Sequence, residues 1–132
     1  MLNRRKTHIL ASGVAAFSFL WLGSTLSTAG RAQTTGSGKE LFEKRCGGCH
    51  ALDGDKEGPR LRGVYGRVAA SLDSFKYSDA LKKSKIMWTD ERLDKWLTDT
   101  EKLVPNNDMT FHVERPEERG EIIAYLKQNS GK

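Results

Sequence analysis

The chain has 132 residues, a length that suits one domain and is too short for two. Its formal net charge of +5 is unevenly spread, because residues 1–32 hold four of the 22 basic side chains and none of the 17 acidic ones. The rest of the chain therefore carries a net charge of only +1. We expect no nucleic-acid partner, since domains that bind nucleic acids are strongly basic.

The first 32 residues have the three parts of a secretory signal peptide. A positively charged start precedes an almost wholly apolar run at 9–22, and small residues fill 24–32. We expect cleavage after Ala29 or Ala32 and export from the cytoplasm. The alternative is an uncleaved membrane anchor, although an apolar stretch of 18 residues interrupted by Ser, Thr and Gly is marginal for spanning a bilayer.

Residues 33–38 are polar and rich in Gly and Ser, so we predict a flexible lead-in before a single domain at 39–132. Apolar spacing and capping residues predict four short helices in that domain and no strand, which makes the fold class all-α. Trp88 before the predicted cap Thr89 pairs with Leu93 as a hydrophobic staple. The four predicted helices are Lys39–Cys46, Ser78–Lys83, Thr89–Asp99 and one that begins at Pro116.

Two long irregular segments separate these helices, one at 51–76 and one at 100–115. Compact domains seldom contain structureless segments of this length unless something else orders them. A chain of about 100 residues is also only modestly stable by itself. Both considerations predict a large cofactor around which the loops wrap.

The segment Cys46-Gly47-Gly48-Cys49-His50 has the C-x-x-C-H pattern by which c-type haem is attached to proteins. Two thiols at this spacing can reach the two vinyl groups of one porphyrin, and the histidine that follows can bind the iron. A zinc site would need two more ligands, and only His112 remains beyond residue 32. A thioredoxin-like dithiol would need surrounding strands, and a plain Cys46–Cys49 disulfide leaves His50 without a role.

The sixth ligand of such an iron decides whether the protein carries electrons or binds small molecules. Three residues are candidates, namely Met87, Met109 and His112. Met87 directly precedes a predicted helix, which favours core packing, and His112 is of a type more often found at the surface. Met109 lies in a loop that follows Pro105, and the haem motif makes it the strongest candidate.

Several further motifs occur in one order along the chain, and with them the sequence resembles the class I, or mitochondrial-type, cytochrome c family. The resemblance covers about residues 38–127 and lies closest to the bacterial exported cytochromes with one haem. It implies a cytochrome c fold, in which about four short helices and long loops wrap around one covalently bound haem c. The matching runs are Leu41-Phe42, Cys46 to His50, Gly58-Pro59-Arg60-Leu61, Gly63 to Arg67, Phe75 to Ala80, Trp88-Thr89, Trp96-Leu97, Val104-Pro105, Met109-Thr110-Phe111, Arg119 and Ala124-Tyr125-Leu126.

The resemblance also implies roles for individual residues. Met109 becomes the sixth ligand opposite His50, and the backbone carbonyl of Pro59 accepts a hydrogen bond from the Nδ1–H of His50. Gly38 and Phe42 on the first helix interlock with Ile122 and Tyr125 on the last. Arg67, Tyr77 and Trp88 donate hydrogen bonds to the buried haem propionates. Without the resemblance, these three would be interpreted as a surface charge, a helix-start residue and the staple residue.

Three departures from the family pattern concern the methionine and its loop. Asn106-Asn107-Asp108 replaces the usual Gly-Thr-Lys, and we expect Asn106 to adopt the left-handed backbone of the glycine. Losing the threonine at 107 removes one expected propionate hydrogen bond. Thr100 replaces a common proline. Trp96 replaces a tyrosine that often binds the methionine sulfur, so we expect a lower midpoint potential than with tyrosine.

The function implied is that of a one-electron carrier without enzymatic activity. Histidine and methionine close both axial positions of the iron, and the haem c iron is the only metal expected. The expected partners are membrane or periplasmic redox proteins, such as a quinol–cytochrome c reductase, an oxidase or a dehydrogenase, and the protein itself is expected to be a monomer. Two alternatives remain: a peroxidase or gas-binding protein with an open iron and His112 beside it, and a tethered subunit that contacts the membrane through a retained N-terminus.

Overall fold

The computed structural model describes residues 35–131, with side chains from residue 38 onward, and contains five α-helices in that range. No strand occurs among these residues, where an isolated antiparallel bridge joins Val68 to Met87. The all-α prediction is confirmed. In chain order, the helices are α1 Thr35–Arg45, α2 Asp79–Ser84, α3 Asp90–Thr98, α4 Thr100–Leu103 and α5 Pro116–Gln128.

Helix α1 begins at Thr35, earlier than the predicted start at Lys39, so residues 35–38 are helical and do not form the predicted lead-in. The glycine content of this segment predicted a linker because glycine lowers helix stability. Tertiary packing reverses that preference here, since Gly38 is buried against α5. The predicted signal peptide and residues 33–34 lie outside the described residues.

The pairing of α1 with α5 is the main helix contact of the fold. A Cβ atom placed on Gly38 would lie 2.7 Å from the carbonyl oxygen of Glu121 and 3.1 Å from Cβ of Tyr125, so glycine allows the two backbones to approach closely. One turn further on, the rings of Phe42 and Tyr125 lie 5.3 Å apart at 46°. Ile122 is completely buried between them and the core. The predicted interlocking of the two helices is confirmed.

Local capping determines where α2 and α3 begin. The side chains of Ser78 and Thr89 accept hydrogen bonds from the backbone N–H groups of Leu81 and Arg92, at 3.3 Å in each case. Both helices therefore begin one residue after the predicted first position, as caps lie outside the helix. On α3, the buried face consists of Leu93, Trp96 and Leu97.

Helix α4 was not predicted, because four residues are too few to show an apolar period. The chain turns a corner at Asp99, which ends α3 and also caps α4 by accepting a hydrogen bond from the backbone N–H of Lys102 at 3.0 Å. This corner buries Thr100, which is only 1 % exposed. It therefore sets where the second irregular segment starts.

The irregular segments are held by backbone hydrogen bonds and surround a central cavity. Residues 61 and 62 donate to the carbonyls of residues 51 and 52, while Trp88 and Arg67 are joined by a bond of 3.0 Å. Val113 at the end of the second segment donates to the carbonyl of Leu97 at 2.6 Å. Within the described part of the chain, no helix is both long and apolar enough to span a membrane.

Candidate haem-binding site

The cavity at the centre of the domain has a volume of about 430 Å³, within the usual range for sites that hold small organic molecules. Its walls combine apolar side chains with a few thiol, imidazole, thioether and guanidinium groups. Each residue that the sequence singled out for haem binding lies in its lining, and these are Cys46, Cys49, His50, Pro59, Arg67, Tyr77, Trp88, Trp96 and Met109.

The C-x-x-C-H motif forms a tight turn at the end of α1. The backbone N–H groups of Cys49 and His50 both donate to the carbonyl of Cys46, at 3.1 and 2.8 Å. Both cysteines are free thiols, with Cys46 buried and Cys49 exposed. Burial, reinforced by the neighbouring Cys49, raises the pKa of Cys46 to about 11, so that its thiol is protonated at neutral pH. The turn presents both thiols and the imidazole to one cavity.

A single hydrogen bond fixes the orientation of His50. Its Nδ1 lies 2.7 Å from the carbonyl oxygen of Pro59, as the resemblance implied. A carbonyl can only accept, so Nδ1 carries the proton and the lone pair resides on Nε2. Burial lowers the pKa of His50 and outweighs the opposite effect of the Pro59 bond. The ring is therefore neutral at neutral pH, which is the form that binds a metal.

Gly58 leaves room for the imidazole. A Cβ atom at this position would lie 2.3 Å from Cε1 of His50, which is far inside van der Waals contact. The backbone N–H of Gly58 also donates to the carbonyl of Cys49 at 2.8 Å, so the loop is held directly against the motif. The glycine that precedes Pro59 is thus required by the position of the ring.

Met109 is the one of the three candidate sixth ligands that lines the cavity. Met87 is 54 % exposed, so the prediction that it packs in the core was wrong. It forms the isolated bridge with Val68, which is also exposed. His112 is exposed, as expected for a surface residue. The structure thus brings the thioether of Met109 and the imidazole of His50 into the same cavity.

The loop before Met109 is shaped by the asparagines that replace the family residues. Asn106 has a φ of 63°, which confirms the predicted left-handed backbone. Asn107 accepts a hydrogen bond from the backbone N–H of Met109 at 2.7 Å and donates one to the carbonyl of Val104 at 2.9 Å. Its side chain therefore organises the loop from within.

Arg67 and Tyr77 form the polar part of the cavity wall. The guanidinium of Arg67 is half-buried and donates to the carbonyls of Arg60 and Arg62, at 3.2 Å each. The guanidinium therefore has hydrogen-bond partners and is partly shielded from water, unlike the solvated side chain of a surface arginine. Burial lowers the pKa of Arg67 and raises that of Tyr77. The two donors are held at a site where an anionic group would be favoured.

Trp88 and Trp96 form the apolar part of the wall next to α3. Both are buried, and their rings lie 5.4 Å apart at 57°. Leu93 is buried in the same cluster, in keeping with the predicted staple. Trp88 thus has a packing role in addition to any role toward a bound group.

The hydrogen bonds by which Thr100 and Arg119 hold the methionine loop were not predicted from the sequence. The hydroxyl of Thr100 donates to the carbonyl of Met109, and Arg119 donates to the carbonyls of Val113 and Glu114 at 2.9 and 3.0 Å. Arg119 is buried, and its Nε also donates to Asp94 at 2.7 Å. A basic residue on the apolar side of α5 was the available signal for the role of Arg119. For Thr100 the only signal was its departure from the family's proline.

Comparison with known proteins agrees with this geometry. A family model described as Cytochrome c matches residues 36–130. The chain belongs to the cytochrome c family. Cytochrome c of Chlamydomonas reinhardtii is 39 % identical over 95 residues, which are 69 % of this chain and 85 % of the relative.

Two bacterial cytochromes are also similar. Cytochrome c-type cyt cy of Rhodobacter capsulatus is 45 % identical over 93 residues, which are 68 % of this chain and 46 % of that protein. The structure of cytochrome cH from Methylobacterium extorquens superposes with a TM-score of 0.67 at 38 % identity, covering 71 % of this chain and 97 % of that one. The cytochrome c fold is therefore confirmed for the described domain.

As a member of this family, the protein is a one-electron carrier with a covalently attached haem c, ligated by histidine and methionine, and it exchanges electrons with redox partners. The cavity fits that group: two thiols, an imidazole with its Nε2 available and a thioether all line it. Among residues 38–131, whose side chains the structure describes, no group of three or more His, Cys, Asp or Glu could hold a metal ion.

Proposed function

We propose that Cys46 and Cys49 carry the haem through thioether bonds, and that Nε2 of His50 and the sulfur of Met109 are its axial ligands. The observation that carries this proposal is that these four side chains line one cavity, while Met87 and His112 do not. When bound, the haem iron supplies a centre that alternates between the ferric and ferrous states.

The protein residues keep that centre rigid and dry. The Pro59 carbonyl holds the His50 ring and increases the basicity of Nε2. Trp88 and Trp96 exclude water from the apolar side. With ligands held on both sides, little has to move when an electron arrives or leaves. We propose on this basis that the protein is an electron-transfer protein and has no enzymatic activity.

The proposed roles of Arg67, Tyr77 and Trp88 toward the haem propionates rest on their place in the lining. Arg67 and Tyr77 supply N–H and O–H donors, and burial favours an anionic partner beside the guanidinium. The amide nitrogen of Asn107 donates to Val104 and Glu101 and its oxygen accepts from Met109, so we propose that this residue does not replace the propionate bond of the usual threonine.

The proposed partners are periplasmic or membrane redox proteins, such as a quinol–cytochrome c reductase, an oxidase or a dehydrogenase. Charged residues of both signs line the cavity, namely Arg45, Lys76, Glu57 and Asp108, so no single partner charge is favoured. Export to the periplasm, with residues 1–32 as the signal, is proposed from the sequence pattern. We expect the protein to act as a monomer that forms brief complexes of small area.

The test is the visible spectrum of the oxidised protein, produced with the export and haem-ligation machinery, with and without the substitution Met109→Ala. A weak far-red charge-transfer band indicates ferric iron bound by a thioether. We expect this band in the wild type and its loss in Met109→Ala, with Met87→Ala as the matched control that keeps it. A wild-type spectrum that is high-spin and lacks the band would contradict methionine ligation and favour an open iron with enzymatic or gas-binding activity.

A further inference from the structure

Both backbone hydrogen-bonding groups of Met109 are held by side chains. Its N–H donates to Oδ1 of Asn107 at 2.7 Å, and its carbonyl accepts from the hydroxyl of Thr100 at 2.5 Å. Within a loop, backbone groups more often bond to other backbone groups or to water. The position of Met109 therefore depends on two specific side chains.

The hydroxyl of Thr100 acts both as a donor and as an acceptor. In addition to donating to Met109, Oγ1 accepts a hydrogen bond from the backbone N–H of Phe111 at 3.3 Å. The side chain is 1 % exposed, so water cannot replace these bonds without a rearrangement. Since Thr100 begins α4, it fastens the far side of the methionine loop to the α3–α4 corner.

Asn107 has one orientation that satisfies its neighbours. The N–H of Met109 can only donate and the carbonyl of Val104 can only accept, so Oδ1 faces Met109 and Nδ2 faces Val104. Nδ2 lies 3.4 Å from Oε2 of Glu101, whose Oε1 accepts from the backbone N–H of Asn106 at 2.9 Å. The near side of the loop is thereby fastened to α4 as well.

We propose that Thr100 and Asn107 are positioning residues that hold Met109 against the haem iron and so exclude competing ligands from the sixth position. This inference rests on the proposed function, in which Met109 is that ligand. An external ligand can bind only after Met109 has left the iron, so its apparent affinity follows the fraction of molecules in which the loop is open. Removing one hydrogen bond of the clamp increases that fraction.

The experiment titrates the oxidised, haem-containing protein with imidazole and follows the far-red charge-transfer band. Thr100→Val keeps the shape of the side chain and removes the hydroxyl. We expect imidazole to bind about tenfold more tightly to this variant than to the wild type, as the loss of one net hydrogen bond implies. Thr100→Ser keeps a hydroxyl and is expected to restore most of the wild-type affinity.

A control variant lies two residues away, at an exposed threonine. Thr98→Val also removes a hydroxyl, one that donates to the carbonyl of Asp94 at 2.7 Å on α3, away from the methionine loop. We expect wild-type imidazole affinity for this control. If Thr100→Val folds too poorly to be titrated, Asn107→Ala tests the same clamp from its other side, with the same expected increase.

The outcomes separate the two proposals. A wild-type protein without the far-red band would overturn methionine ligation, and with it the clamp. A wild-type protein with the band, together with wild-type imidazole affinity in Thr100→Val or Asn107→Ala, would overturn the clamp alone. Equal increases in Thr100→Val and Thr98→Val would also overturn it, because a general loss of stability would then account for both.

Discussion

At the scale of single residues, His50 is positioned from two directions. The carbonyl of Pro59 holds Nδ1, and the absence of a side chain at Gly58 leaves space beside Cε1. Both contacts come from one short segment that is bonded through its backbone to Cys49. The turn at the end of α1 sets the position of the His50 backbone, and the loop with Gly58 and Pro59 sets the orientation of its ring.

We predict that Gly58→Ala displaces the His50 ring, because the new methyl group would lie 2.3 Å from Cε1. Overpacking of this kind costs about 1–3 kcal/mol of stability. The haem-containing variant should show a lower thermal midpoint and an altered visible spectrum. Gly54→Ala is the control, as a methyl group there has no atom of the described chain within 4 Å. Equal midpoints for both variants would contradict the steric argument.

A second prediction at this scale concerns the midpoint potential. Trp96 lines the cavity where a tyrosine often donates a hydrogen bond to the methionine sulfur in this family. Such a bond would reduce the donation of electrons by Met109 to the iron, which favours the ferrous state. We therefore expect Trp96→Tyr to raise the midpoint potential, as measured by redox titration. Trp96→Phe separates the hydroxyl from the change in size, and a potential equally raised in Trp96→Phe would refute the role of the hydroxyl.

The residues of the site differ in how well the sequence alone could predict them, because some give a local signal and others do not. The motif predicts Cys46, Cys49 and His50 because its spacing has one common chemical use. The left-handed turn at Asn106 could be predicted from residue type. The bond from Thr100 to Met109 could not, since it joins two ordinary residues across a corner that only the folded chain forms. The prediction that Met87 packs in the core was wrong because it relied on the apolar neighbours Ile86 and Trp88 and on the helix that follows. The side chain of Met87 is exposed at the isolated bridge to Val68.

At the scale of helices, α1 and α5 depend on a close crossing. Glycine at position 38 brings the backbone of α1 against Glu121, and Phe42 then packs on Tyr125. Caps and apolar spacing were sufficient to predict α2, α3 and α5, because these signals are local. The start of α1 was missed for a non-local reason: the packing of Gly38 on α5 outweighs its poor helix propensity.

We predict opposite effects for two glycine-to-alanine substitutions on this helix pair. In Gly38→Ala, the methyl group would lie 2.7 Å from the Glu121 carbonyl oxygen, so we expect the free energy of unfolding to fall by about 1–3 kcal/mol. In Gly120→Ala, the methyl group on α5 has no close neighbour, so we expect a rise of about 0.5–1 kcal/mol from helix propensity. Urea denaturation of the haem-containing proteins measures both, and destabilisation by Gly120→Ala as large as that by Gly38→Ala would contradict this account.

At the scale of the whole molecule, the helices do not form a core that is closed without the haem. The buried cluster includes Phe42, Trp88, Leu93 and Ile122, yet Trp88, Leu93 and Ile122 also line the cavity of about 430 Å³. Much of the apolar surface of the domain is therefore shared between helix packing and the haem site. The long loop at 51–78 contributes to the same centre, because Val64 is buried in the core cluster and Leu61 and Tyr77 line the cavity.

We predict that the protein without haem does not fold cooperatively. Without the haem, the apolar walls of a cavity of about 430 Å³ would face water, and a domain of this size is only modestly stable. The variant Cys46→Ser with Cys49→Ser, produced without attached haem, should lack the helical circular dichroism and the thermal transition of the wild type. Met109→Ala, which keeps both cysteines, is the control and should retain its helices. A haem-free variant with a cooperative transition and wild-type helix content would mean that the chain closes its own core, and that the haem is bound by a domain already folded.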